Sequence, residues 1–192
     1  SLLKQSKEMD MIAMMGGDQK KKRNFTNLIQ TAGNFMAEDK GPMVGVVELG
    51  GWDTHANQGL ENGILSNKLK EFARGIQAYK NAMGDKWKDT VVLAVTEFGR
   101  TVKMNGTGGS DHGTASAAFV MGGNINGGTV LGKWPGLASQ NLYHGRDLYP
   151  SNDLRGLMKT IIHQHLNVSK SKLDSYVFPN SKNVPYIKQL LG

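Results

Sequence analysis

Two short apolar runs, "MVGVVEL" at 43–49 and "DTVVLAVTEF" at 89–98, most constrain what this chain can fold into. Both are continuous rather than alternating, and each is bounded by turn-forming or polar residues. That pattern predicts strands buried on both faces, as in a parallel sheet covered by helices. A third run, "AAFVMGG" at 117–123, predicts another such strand, and "GGTVLG" at 127–132 an edge strand or hairpin arm.

Helical periodicity fills the intervals. In residues 24–38, Phe25, Leu28, Ile29, Ala32, Phe35 and Met36 fall on one helical face, with Asn24 placed as N-cap. In residues 60–83 the stripe is Leu65, Leu69, Phe72, Ile76 and Tyr79. Residues 151–166 predict a further helix, 184–192 a last short one, and 1–15 are helical in composition. Strands alternating with helices argue an α/β domain with a mostly parallel sheet. With 192 residues, no internal repeat and no linker, one domain over 1–192 is expected.

Composition removes several classes of function. The chain has no cysteine, which excludes disulfides, thiolate metal sites and cysteine nucleophiles together. No apolar stretch approaches the roughly 18 to 20 residues of a membrane helix, so no transmembrane segment is expected. Four of the charges behind the net +7 sit together at Lys20, Lys21, Lys22 and Arg23. No aromatic residue interleaves with them, so a solvated loop is favoured over a nucleic-acid patch, and residues 1–23 are expected to be flexible. The chain opens "SLLKQSKEMD" without an initiator Met, which suggests a fragment or processed form.

In open α/β sheets, ligands bind beyond the carboxyl ends of the strands. Glu48, Asp53 and His55 fall at or past the end of the first run, Glu97 and Arg100 at the end of the second. Asp111 and His112 lie in the Gly-rich segment before the third. Two imidazoles and several carboxylates from three loops suit an oxygen/nitrogen site for zinc, manganese or iron. Plainer roles exist for each: Asp53 as a helix cap, His55 as part of a turn, Glu97 paired with Arg100. His163 and His165 stand two apart on a helix and cannot share a face. His144 is placed either to reach the site or to hold a loop with Arg146 and Asp147.

The blocks "GGWDTHANQ", "DTVVLAVTEFGRT", "NGTGGSDHGTASAAFVMGG", "GGTVLGKWPGL" and "GRDLYPSNDLR" occur in this order. Over roughly residues 40–166 they resemble the C-terminal half of the domain of unknown function 1501 family, within the alkaline phosphatase/sulfatase-like superfamily. The resemblance implies a doubly wound, mostly parallel sheet with flanking helices, as part of a larger alkaline phosphatase-like domain. It also implies a divalent metal centre at the carboxyl end of the sheet. Glu48, Asp53 and His55 fall where the first ligand group is expected, Glu97 at the second strand end, and His112, with Asp111, where a late histidine is expected.

Two departures stand out. Asp53 and His55 are separated by a single residue, where many relatives have three. The second run ends Glu97-Phe98 rather than Asp-His. Residues 1–40 offer no equivalent of the relatives' early Ser or Thr nucleophile. The expected chemistry is hydrolysis of a phosphate or sulfate ester on a small anionic or sugar-linked substrate, with a site incomplete in this chain and Arg100 as an anion clamp. The alternative is a non-catalytic ligand-binding or structural domain on the same fold. Family resemblance also implies export to the periplasm.

Overall fold

The computed structural model describes residues 24–192. The expectations for 1–15, for the basic run at 20–23 and for flexibility of 1–23 lie outside the described residues. Among the described residues, three long helices dominate. Helix α1 (Phe25–Ala37) starts at Asn24, whose side chain accepts the Thr26 N–H at 3.0 Å. Helix α2 (Ile64–Met83) and helix α3 (Leu154–Leu166) follow, the latter capped by Asp153, which accepts the Arg155 N–H. These starts match the N-cap chemistry of Asn and Asp, which satisfies an otherwise unpaired backbone donor.

α1 and α2 pack together, and the core between them is Phe25, Ile29, Tyr79 and Met83, flanked by Phe72, Ile76, Trp87 and Val92. Close approach depends on Gly75. A Cβ there would stand 2.3 Å from the Phe25 ring, so only glycine leaves room for that ring.

The chain is mixed α/β, as the periodicities imply, but its strand pairing differs from expectation. Strand β1 (Val92–Ala94) pairs with β4 (Phe119–Met121), and β2 (Gly99–Arg100) with β3 (His112–Gly113). Both pairs are antiparallel and each sheet has two strands, so no doubly wound parallel sheet is seen among the described residues. The run at 43–49 forms no strand and is unpaired, with Met43 at 81%, Val44 at 64% and Val46 at 95% exposure. It is not a buried strand here. The 127–132 run forms no strand, and Val130 is fully exposed.

The 184–192 tail is also not helical. It returns to residues 124–126, where Asn126 Nδ2 donates to the carbonyls of Gln189 and Leu191, both at 3.1 Å. Upstream of the tail, α3 carries Lys159 into a fully buried position. Its ammonium donates to Asp174 (2.7 Å), to the Ser181 carbonyl (2.7 Å) and to the Val184 carbonyl (3.1 Å). A charge removed from water this completely persists only because each donor has a partner. Among the described residues, no helix is long and apolar enough to cross a membrane.

Candidate metal centre

The β2–β3 hairpin sets the site. Its register places Arg100 directly opposite His112, and residues opposite each other in an antiparallel pair project to the same face. The loop carrying Asp53 and His55 lies along the connection between these two strands. Ser110 N–H donates to the Thr54 carbonyl (3.1 Å), Asn57 N–H to that of Thr107 (3.1 Å) and Gln58 N–H to that of Gly108 (2.9 Å). The contact is tight at Gly109, where a Cβ would stand 2.3 Å from the His55 carbonyl carbon. The Gly-rich stretch that sequence alone leaves shapeless is what admits the 53–58 loop.

Three side chains converge. His55 Nε2 and His112 Nε2 each lie 3.0 Å from Asp53 Oδ1, and 3.2 Å from each other. Asp53, His55 and His112 thus form a group that could hold a metal ion. Around a tetrahedral ion with bonds of about 2.0–2.1 Å, donor atoms stand about 3.3–3.4 Å apart, and around an octahedral one about 2.9 Å. The observed triangle falls between these values. A single proton can serve only one of its three edges at a time, whereas one cation would satisfy all three corners. The side chains are about half exposed, at 58% for Asp53, 48% for His55 and 54% for His112, so water and solutes reach the triangle.

Neighbouring groups hold the triangle in place. Arg100 donates through Nη1 to Asp53 Oδ1, through Nη2 to the Ser110 carbonyl, and through Nε to Ser110 Oγ at 3.2 Å. That hydrogen bond from Arg100, followed by the one from His112 and the nearby imidazoles, holds the Asp53 carboxyl below the usual carboxylate range. The Phe98 ring lies against His112, with centroids 4.3 Å apart. The Phe that replaces an expected His therefore backs an imidazole instead of supplying one.

The other residues singled out from sequence are placed differently. Asp111 sits on the far side of the His55 ring, its Oδ1 3.3 Å from Nδ1, and Asn105 Nδ2 donates to the same oxygen at 2.9 Å. The Asn105 bond and then the His55 bond keep the Asp111 carboxyl low. Glu48 and Glu97 are exposed and outside the triangle, and Arg100 pairs with Asp53 rather than Glu97. His144 stays in its turn with its ring on Tyr143, centroids 4.1 Å apart. His163 Nδ1 bonds the Val168 carbonyl at 2.8 Å, at the end of α3.

Asn105 was not anticipated. Its Oδ1 accepts the N–H groups of Thr107 (3.1 Å) and Gly109 (2.9 Å), and its Nδ2 also donates to the His55 carbonyl (2.8 Å). An Asn opening a Gly-rich turn is the available signal, because its side chain readily bonds backbone two residues on. Thr107 Oγ1 adds a second bond to the His55 carbonyl at 2.7 Å.

A family model described as "Protein of unknown function (DUF1501)" matches residues 2–173. No curated protein and no solved structure matches the chain.

Proposed function

The chain belongs to the protein family of unknown function DUF1501, and from the geometry of its site we propose a metal-dependent hydrolase of phosphate or sulfate esters in which Asp53, His55 and His112 hold one divalent cation. The observation that carries this reading is the convergence of two imidazole nitrogens and one carboxylate oxygen at 3.0–3.2 Å on a surface open to solvent. Nitrogen and oxygen donors in this mixture suit zinc, manganese or iron, and three protein ligands leave coordination positions for water or substrate. A cation held there would supply an acidified water and polarise the oxygens of an anionic ester.

The protein's own part is positional. Arg100 fixes Asp53 and, through the remaining N–H groups of its fork, can face an anionic oxygen of the substrate. Phe98 limits the swing of His112. The resemblance in the sequence supports an alkaline phosphatase/sulfatase-like fold and export to the periplasm. The order of the chain is what supports that reading: the 43–49 run precedes the Asp53 loop, and β1 precedes β2, which carries Arg100.

A second reading, a metal- or ligand-binding domain without catalysis, is favoured by one observation. The hydroxyls bordering the triangle are committed, Thr54 Oγ1 donating to Gln58 Oε1 at 2.6 Å and Ser110 Oγ to the same oxygen at 2.9 Å. These two hydroxyls are thereby unsuited as nucleophiles, so hydrolysis would rely on water or on a group from elsewhere.

The test is elemental analysis by plasma mass spectrometry on protein prepared without chelators or a histidine tag. About one equivalent of zinc, manganese or iron, lost in His112→Ala, is expected. Turnover of nitrophenyl phosphate or sulfate by the loaded protein separates the hydrolase from the binding domain. A metal-free wild type that also fails to take up added metal would refute both the cation and the hydrolysis built on it.

A further inference from the structure

The two ring nitrogens of His55 face different worlds. Nε2 points into the triangle, 3.0 Å from Asp53 Oδ1 and 3.2 Å from His112 Nε2. Nδ1 points away from it, toward Asp111 Oδ1 at 3.3 Å. Asp111 therefore stands behind the imidazole, and its carboxylate is not one of the three atoms that converge. Sequence spacing makes Asp111 look like a ligand beside His112. The geometry gives it another task.

An ionised carboxylate can only accept a hydrogen bond. Both ring nitrogens of His55 face a carboxylate oxygen, Nε2 that of Asp53 and Nδ1 that of Asp111. Once a cation takes the Nε2 lone pair, the neutral ring's one proton is on Nδ1, and Asp111 is there to accept it. Asp111 is itself held firmly: its Oδ1 accepts from Asn105 Nδ2 at 2.9 Å, and its backbone N–H donates to Thr101 Oγ1 at 3.1 Å. The same Asn105 amide nitrogen donates to the His55 carbonyl at 2.8 Å. One side chain thus ties the backbone of His55 to the carboxylate that addresses its ring.

We infer that Asp111, held by Asn105, is the positioning residue that fixes His55 as the Nδ1–H tautomer and turns a bare Nε2 toward the cation. This rests on the metal reading, and the ring proton is read in the metal-loaded protein. A carboxylate behind a ligating histidine fixes ring orientation and raises the basicity of the ligating nitrogen, and its removal typically weakens metal binding about 10- to 100-fold. A ligand, by contrast, would take part of the coordination geometry with it when removed.

The test uses the whole chain with cobalt(II) as the probe, read by its visible absorption, alongside long-range proton–nitrogen spectra of the imidazoles in the zinc-loaded protein. Asp111→Ala is expected to bind cobalt about 10- to 100-fold more weakly with the spectral shape retained, and His112→Ala to lose binding. Asp111→Asn keeps an acceptor oxygen toward Nδ1 and should recover much of the loss. In the zinc-loaded wild type, His55 should carry its proton on Nδ1, with a resonance shifted by the hydrogen bond to Asp111, a shift largely kept in Asp111→Asn and lost in Asp111→Ala. A wild type that takes up no metal overturns the metal reading and this inference with it. Metal uptake with wild-type affinity in Asp111→Ala, a change of cobalt geometry on its removal, or zinc bound through Nδ1 of His55 would each overturn the inference alone.

Discussion

Replacing Gly109 by Ala probes whether backbone packing, rather than side-chain chemistry alone, sets the triangle. The added Cβ would stand 2.3 Å from the His55 carbonyl carbon and 2.4 Å from the carbonyl oxygens of His55 and Thr54. Carbon contacts settle at about 3.5 Å or more, so the two loops must part by about 1 Å. The obstacle is backbone, and it is pinned by the bonds from Asn105, Thr107 and Ser110, so no flexible side chain can yield instead. Metal–ligand distances tolerate only about 0.2 Å. His55, moved by several times that amount relative to His112, stops acting as a shared ligand, and cobalt affinity should fall about 100-fold or more.

Overpacking of this kind costs about 1–3 kcal/mol, or about 2–12 °C in Tm for a chain of this size. Gly106→Ala is the control, because a Cβ there meets nothing within 4 Å. The assay is a cobalt titration paired with thermal unfolding for both variants. If Gly109→Ala matches Gly106→Ala in affinity and in Tm, the argument that this contact sets the site is refuted.

Two further predictions concern the C-terminal anchor. Lys159→Met keeps the stem but strands the buried carbonyl of Ser181 and the part-buried one of Val184, at about 1–3 kcal/mol each. A total near 3 kcal/mol should lower Tm by about 6–12 °C, and a shift within about 1 °C would show that water replaces the ammonium. The hydrogen bond from Lys159 holds the Asp174 carboxyl below its usual value. Its stabilisation is therefore present above the unfolded carboxylate value of about 3.9 and is lost as pH falls through the lower folded value. Asp174→Asn should flatten the dependence of the urea midpoint on pH in that acid window, and an unchanged slope would remove the pair from the acid response.

The helices were legible because their signals are local. The spacing of Phe25 and Ile29, and of Phe72, Ile76 and Tyr79, is enough to define faces that bury against each other, and Asn24 marks where the first helix starts. The strands were not, because a strand is defined by its partner. "MVGVVEL" and "TVVLAVTEF" look alike in composition, yet the second contributes three paired residues and the first none. Apolar character says that a run seeks burial. It does not say which other run will lie beside it, or in which direction, and the β1–β4 pair is antiparallel where crossover helices implied parallel.

The site divides along the same line, and the division explains why its roles changed more than its members. Residue type, placement at the ends of the apolar runs and the family resemblance marked Asp53, His55 and His112 as donors, but marked Glu48, Glu97 and Asp111 equally. Whether a carboxylate faces the cation or stands behind an imidazole is decided by hairpin register, which puts Arg100 opposite His112 and leaves Asp111 one position outside β3. Side chains of adjacent strand residues alternate in direction, so Asp111 and His112 were poor candidates to ligate the same ion from the start. The dipeptide Asp-His reads as a pair of ligands only while the segment has no secondary structure. Once His112 is a strand residue, alternation sends its neighbour elsewhere, and the His55 Nδ1 is what Asp111 finds there.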